Sequence, residues 1–68
     1  MPLVQITLAE GRSDEQKRAL LTAVTAAIHD SIGAPVDSIR VWLSEFSPTD
    51  YMAGGELLAD KRDRAGGS

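Results

Sequence analysis

The sequence predicts an α/β (α+β) protein built on one βαβ unit with parallel strands. Three observations predict it. Leu3-Val4-Gln5-Ile6-Thr7-Leu8 alternates with the period of a strand, a long segment of helical period follows Ser13, and a second alternating stretch runs from Ile39 to Phe46. A strand, a long helix and a second strand pair in parallel through a right-handed crossover, because the helix returns the chain to the end from which the first strand began.

The first strand is expected over about 2–8, with Val4, Ile6 and Leu8 on a uniformly apolar face and Leu3, Gln5 and Thr7 on a mixed one. Ala9-Glu10-Gly11-Arg12 breaks the pattern, and Gly11 suits a turn. Ser13-Asp14-Glu15-Gln16 reads as a helix start: Ser13 as N-cap, Gln16 closing a capping box, and two acids at the positive end of the helix dipole. The helix is expected over about 13–32. Leu20, Val24, Ala27, Ile28 and Ser31 follow its period, and Ala19, Ala23 and Ala26 allow close approach on one flank. Gly33 suits a C-terminal cap and Pro35 cannot continue the helix. His29, near that end, is read as a favourable partner of the dipole rather than as a catalytic group.

The second strand, about 39–46, places Ile39, Val41 and Leu43 on one face and Arg40, Trp42, Ser44 and Phe46 on the other. One helix covers one face of so small a sheet. The other face, with Trp42 and Phe46, is expected to meet another subunit or to expose its aromatics to water at a cost. Ser47-Pro48-Thr49-Asp50 is a turn signal, a loop or hairpin spans about 48–60, Glu56 to Asp60 suits a short strand or a turn of helix, and a charged, Gly-rich tail over about 61–68 is expected to fray. All 68 residues read as one domain, without internal repeat or linker.

A chain of this length buries only about 60% of its unfolded surface and needs further support. It has no cysteine for a disulfide, and one histidine among scattered carboxylates lacks the spacing of a metal site. Association of subunits remains, and 43% hydrophobic residues permit it. A net charge of −3 is a poor match for nucleic acid. No apolar run reaches the roughly 18 residues that cross a bilayer, and the N-terminus has no basic region or apolar signal core. The expectation is a cytoplasmic protein with neither nucleic-acid nor membrane partners.

Three residues could carry chemistry. Proline has no amide proton for a sheet, so Pro2 is an odd residue to open a strand. At a free chain end, after removal of Met1, it is a rigid secondary amine. An α-amino group has a pKa near ~8, and apolar neighbours or a nearby cation lower it toward that of a neutral base. Arg12 stands on the turn just ahead of the helix cap, and Arg40 in an otherwise largely apolar strand. Guanidinium groups hold carboxylates through a planar fork of donors and remain charged. An amine base beside arginines suits an anionic acid with an acidic C–H, whose enolate the arginines would stabilise. Each has a plainer reading: Met1-Pro2 as an ordinary start, Arg12 as a solvated loop residue, and Arg40 on an exposed sheet face or as a partner of Glu45 or Asp37; Tyr51 could be one more interface aromatic.

The residues then carry a resemblance. Met1-Pro2 opening a strand, the run Glu10-Gly11-Arg12-Ser13-Asp14-Glu15-Gln16-Lys17, Ala34-Pro35, Arg40-Val41 and Gly54-Gly55-Glu56-Leu57 together resemble the 4-oxalocrotonate tautomerase (2-hydroxymuconate tautomerase) family, short-subunit type, without gaps from Pro2 to about Arg62. The resemblance implies a βαβ unit that dimerises into a four-stranded sheet, with three dimers forming a hexamer. It implies a cofactor-independent enzyme with Pro2 as base and then acid, and no metal. Arg12 would bind the distal carboxylate of a small anionic acid, and Arg40, from a neighbouring subunit, the oxygen and carboxylate near the reacting carbons. Tyr51 aligns with the family's phenylalanine, which keeps the pocket apolar, and adds a hydroxyl. Ala9 stands where the 3-chloroacrylic acid dehalogenase branch has an additional arginine. Hydration, dehalogenation or decarboxylation of small unsaturated acids is an alternative on the same residues, and a non-catalytic place in a mixed hexamer is another.

Overall fold

The protein is described by a computed structural model covering residues 1–65. In chain order the elements are β1 (Leu3–Ala9), α1 (Asp14–Ile32), β2 (Arg40–Phe46), a small hairpin of β3 (Met52–Ala53) and β4 (Glu56–Leu57), and α2 (Leu58–Arg64). Single 3₁₀ turns at Val36–Ser38 and Pro48–Asp50 lead into and out of β2. β1 and β2 pair in parallel from Leu3↔Arg40 to Ala9↔Phe46, as the sequence predicts for strands joined through a helix.

The caps of α1 are those its sequence specifies. The Ser13 side chain accepts from the Gln16 amide while the Gln16 side chain accepts from the Ser13 amide. At the far end Gly33 adopts a left-handed conformation (φ +72°), and its amide donates to the His29 carbonyl at 2.9 Å. His29 Nδ1 lies 2.8 Å from the Ala34 carbonyl oxygen; since a carbonyl only accepts, that nitrogen carries the proton and clamps the cap.

Helix α1 lies over the face of Val4, Ile6, Leu8, Val41 and Leu43, all half-buried, and contributes Leu20, Leu21, Val24 and Ile28. Leu21 joins this face, whereas Ala27 and Ser31, expected on it, are exposed. Two strands about 5 Å apart are too narrow to cover both flanks of a helix. Glu45 shares the parity of Val41 and Leu43, and on that face it meets Lys17 at 3.1 Å. The neighbouring carboxylate raises the Lys17 pKa above its ordinary 10.5.

The opposite face departs from expectation at one end. Trp42 is 44% exposed, as an uncovered sheet face requires. Phe46, expected to be equally uncovered, is half-buried because the Pro48–Asp50 turn folds Tyr51 back onto it; the ring centroids are 5.2 Å apart and the planes 20° from parallel. An offset stack of this kind contributes about 0.5–1.5 kcal/mol beyond the area it buries.

The C-terminal segment also differs. The tail expected to fray from Lys61 is helical through Arg64. Arg62 Nη1 donates to the Glu10 carbonyl at 3.1 Å, and Arg64 pairs with Glu56 at 2.8 Å, tying α2 to the rest of the chain. The remainder of that expectation, 66–68, lies outside the described residues. Gly54 and Gly55 take φ of +58° and +86°, the two positive values that a tight β-hairpin needs.

Only Ala9 and Ile39, each 8% exposed, are buried among the described residues. The radius of gyration is 15.4 Å, against about 11 Å for a compact chain of this length. The chain is a thin slab, 44 × 24 × 16 Å, with too little interior to offset its own conformational entropy. No described helix is long and apolar enough to cross a membrane.

Candidate active site

Pro2 immediately precedes β1, and its carbonyl accepts from the Arg40 amide at 3.0 Å, extending the ladder one step beyond Leu3. That bond fixes the proline beside the start of β2 although its own nitrogen can donate nothing to a sheet. With Met1 attached, the Pro2 nitrogen is an amide without basicity. Met1 is 80% exposed, so its removal meets no packing obstacle within the chain.

The Arg40 guanidinium turns back along its own strand entry. Nη1 donates to the Asp37 carbonyl at 2.6 Å and to the Ile39 carbonyl at 3.3 Å. Neither carboxylate suggested as its partner takes it: Glu45 is occupied by Lys17, and Asp37 contributes its backbone oxygen. Arg40 is exposed and most of its donors remain available.

The other end of the strands carries Arg12. Its Nη1 donates to the Ala9 carbonyl at 3.1 Å, which holds the loop against the end of β1. Gly11 makes the bend with φ +133°, a conformation a side chain would strain. Glu10, Gly11, Arg12 and Arg62 line an open cleft of about 370 Å³. Arg62 escaped the sequence reading because it lies 52 residues from Glu10, and no local pattern announces that meeting. Among the described residues neither Arg12, Arg40 nor Arg62 forms an ion pair, so each is free to take an external anion. Tyr51 belongs to this end too, on Phe46, the register partner of Ala9.

The sequence-predicted residues therefore fall into two groups. Pro2 and Arg40 stand where the strands begin, and Arg12 and Tyr51 where they end. Six strand steps separate the ends, roughly 20 Å at the usual rise. One small acid cannot span that gap, so no single chain brings all four residues to one small ligand. Among the described residues no three histidine, cysteine, aspartate or glutamate side chains gather into a metal-binding group.

Fold and residue placement together define a class: small βαβ proteins with a proline at the start of the first strand and arginines at both ends of a two-stranded parallel sheet. The profile of the family described as Tautomerase enzyme matches residues 2–61. A 2-hydroxymuconate tautomerase of Pseudomonas putida is 45% identical over 62 residues, which are 91% of this chain and 98% of that protein. The structure of TomN, a 4-oxalocrotonate tautomerase homologue in the tomaymycin biosynthetic pathway, superposes with a TM-score of 0.86 at 42% identity, covering 98% of this chain and 100% of that one. A heterohexamer 4-oxalocrotonate tautomerase from Chloroflexus aurantiacus J-10-fl gives 0.84 at 38% identity, over 88% and 97% of the two chains. The chain belongs to the tautomerase family, and it is an enzyme of the 4-oxalocrotonate tautomerase-like kind.

Proposed function

We propose that this tautomerase moves a proton within a small unsaturated keto or enol dicarboxylic acid, such as 2-hydroxymuconate, in a site completed between subunits. The observation that carries the reading is the division of Pro2 and Arg40 from Arg12 and Tyr51 by the length of the sheet. A two-fold axis that pairs two βαβ units antiparallel into a four-stranded sheet brings the Pro2 end of one against the Arg12 end of the other. Packing such dimers against their open sheet faces covers apolar surface that the thin slab leaves exposed, Leu3 and Trp42 among it. A hexamer of three such dimers also allows Arg40 to enter from a further subunit.

Removal of Met1 frees the Pro2 amine. Neutral at physiological pH, it takes the proton of the enol hydroxyl and, as the pyrrolidinium ion, returns a proton to a carbon of the conjugated chain. Arg40 stabilises the charge that develops on oxygen, Arg12 holds the distal carboxylate, and Tyr51 walls the pocket. The sequence of steps is redox-neutral and uses no cofactor.

The test pairs the intact mass of the purified protein with ketonisation of 2-hydroxymuconate, followed by ultraviolet absorbance. A mass lacking methionine together with rapid ketonisation is the expected result. A processed chain with negligible turnover would overturn the substrate, and an unprocessed chain with full turnover would overturn the amine base.

A further inference from the structure

The ring of Phe46 has no role in the chemistry above, yet among the described residues it is the ring stacked on Tyr51. We propose that Phe46 is a positioning residue: it holds the Tyr51 ring in one orientation, and so aims the phenol hydroxyl at an oxygen of the substrate. The inference rests on Tyr51 lining the proposed site and adds what governs its selectivity.

The backbone on both sides of Tyr51 is already fixed. The Asp50 amide donates to the Ser47 carbonyl at 2.8 Å, and the Ser47 hydroxyl accepts from the Thr49 amide at 3.3 Å, which closes the turn ahead of Tyr51. The Tyr51 carbonyl accepts from the Leu58 amide at 2.9 Å, which anchors it to the start of α2. The remaining freedom is rotation of the side chain, and a ring at 5.2 Å and 20° on one face restricts that rotation. The chain does not enclose the rest of the side chain, since Tyr51 is 45% exposed. Phe46 is itself placed relative to Arg12. Its carbonyl accepts from the Glu10 amide at 2.9 Å, and its register partner Ala9 gives its carbonyl to Arg12. The aromatic pair and the carboxylate-binding arginine thus share one rigid end of the sheet. An oxygen of the distal carboxylate that Arg12 holds is the substrate oxygen within reach of this arrangement, and 2-hydroxymuconate carries one.

Phe46 and Tyr51 are the only phenylalanine and the only tyrosine in the chain, so their ring protons can be assigned without ambiguity. The experiment measures the Tyr51 ring resonances of wild type and Phe46→Leu by proton NMR. It also measures kcat and KM on 2-hydroxymuconate for Phe46→Leu, Tyr51→Phe and the double variant, with Phe46→Tyr as the change that keeps a ring. Tyr51 resonances displaced by the Phe46 ring should relax toward random-coil positions in Phe46→Leu, while the native mass stays unchanged. Phe46→Leu should lower kcat/KM several-fold, Phe46→Tyr should retain most of it, and the double variant should be no worse than the weaker single one. Losses that simply multiply, or Tyr51 resonances identical with and without the Phe46 ring, would overturn the proposal. If wild type does not turn over 2-hydroxymuconate, the substrate reading fails alone: the NMR comparison still decides whether Phe46 holds the Tyr51 ring, and an unchanged ring overturns the proposal.

Discussion

The carbonyl of Pro2 accepts a hydrogen bond from the Arg40 amide at 3.0 Å, so the N-terminal proline and the arginine of β2 are held side by side by backbone alone. Neither side chain is needed for the contact. Chemistry at this end can therefore be altered without undoing the sheet, which makes the proposed roles separable from folding.

Pro2→Ala leaves that carbonyl in place. We expect the circular dichroism and native mass of wild type, with activity lower by about 10²-fold or more, the scale of a lost general acid–base group. Activity at the wild-type level would remove Pro2 from the mechanism.

Arg12 and Pro2 stand at opposite ends of the sheet, so their defects should complement each other. Pro2→Ala and Arg12→Ala chains, each nearly inactive, are unfolded together and refolded as mixed oligomers. Random pairing of intact half-sites predicts recovery of about a quarter of wild-type activity. A site contained within one chain predicts none, and the mixing experiment separates the two cases directly.

Arg12→Ala should raise KM strongly for diacids and much less for monoacids, because only the former present a distal carboxylate to its guanidinium. Equal changes for both substrate types would count against that pairing.

Trp42 is 44% exposed on the face away from α1. Trp42→Glu places a charge on a sheet face that packing of dimers would bury, so native mass spectrometry should show a shift from the full oligomer toward smaller assemblies. An unchanged oligomer would place the interface elsewhere.

Lys17 is held above its ordinary pKa of 10.5, first by its hydrogen bond to Glu45 and then by that carboxylate's charge. A raised folded-state pKa means the contribution is complete below the unfolded value and disappears as pH rises through the folded one. The stability difference between wild type and Lys17→Met should accordingly be flat from neutral pH to about pH 10, and shrink above it. Added salt should weaken it at every pH. Thermal unfolding across a pH series tests both; a difference that grows with alkalinity contradicts the assignment.

Local chemistry was legible from the chain. The capping box at Ser13 and Gln16, the left-handed stop at Gly33 and the strand alternation depend on neighbours within a few residues, and each stands where its residues indicate. The charged tail misled, because Arg62 and Arg64 reach Glu10 and Glu56, and no local pattern encodes the first of those contacts. Phe46 was misplaced as uncovered for a similar reason: its alternation gives the face but not what folds over it.

The sequence by itself determined the βαβ order, the parallel pairing, the family and the identities of Pro2, Arg12, Arg40 and Tyr51, since periodicity, caps and motif are properties of the chain. Tertiary structure alone decided that these residues stand at opposite ends of a thin sheet, with Phe46 against Tyr51 and Arg62 beside Arg12. The reason is physical: distance along a strand follows from the fixed rise per residue, but meetings between distant segments arise only when packing and long-range hydrogen bonds close the chain upon itself.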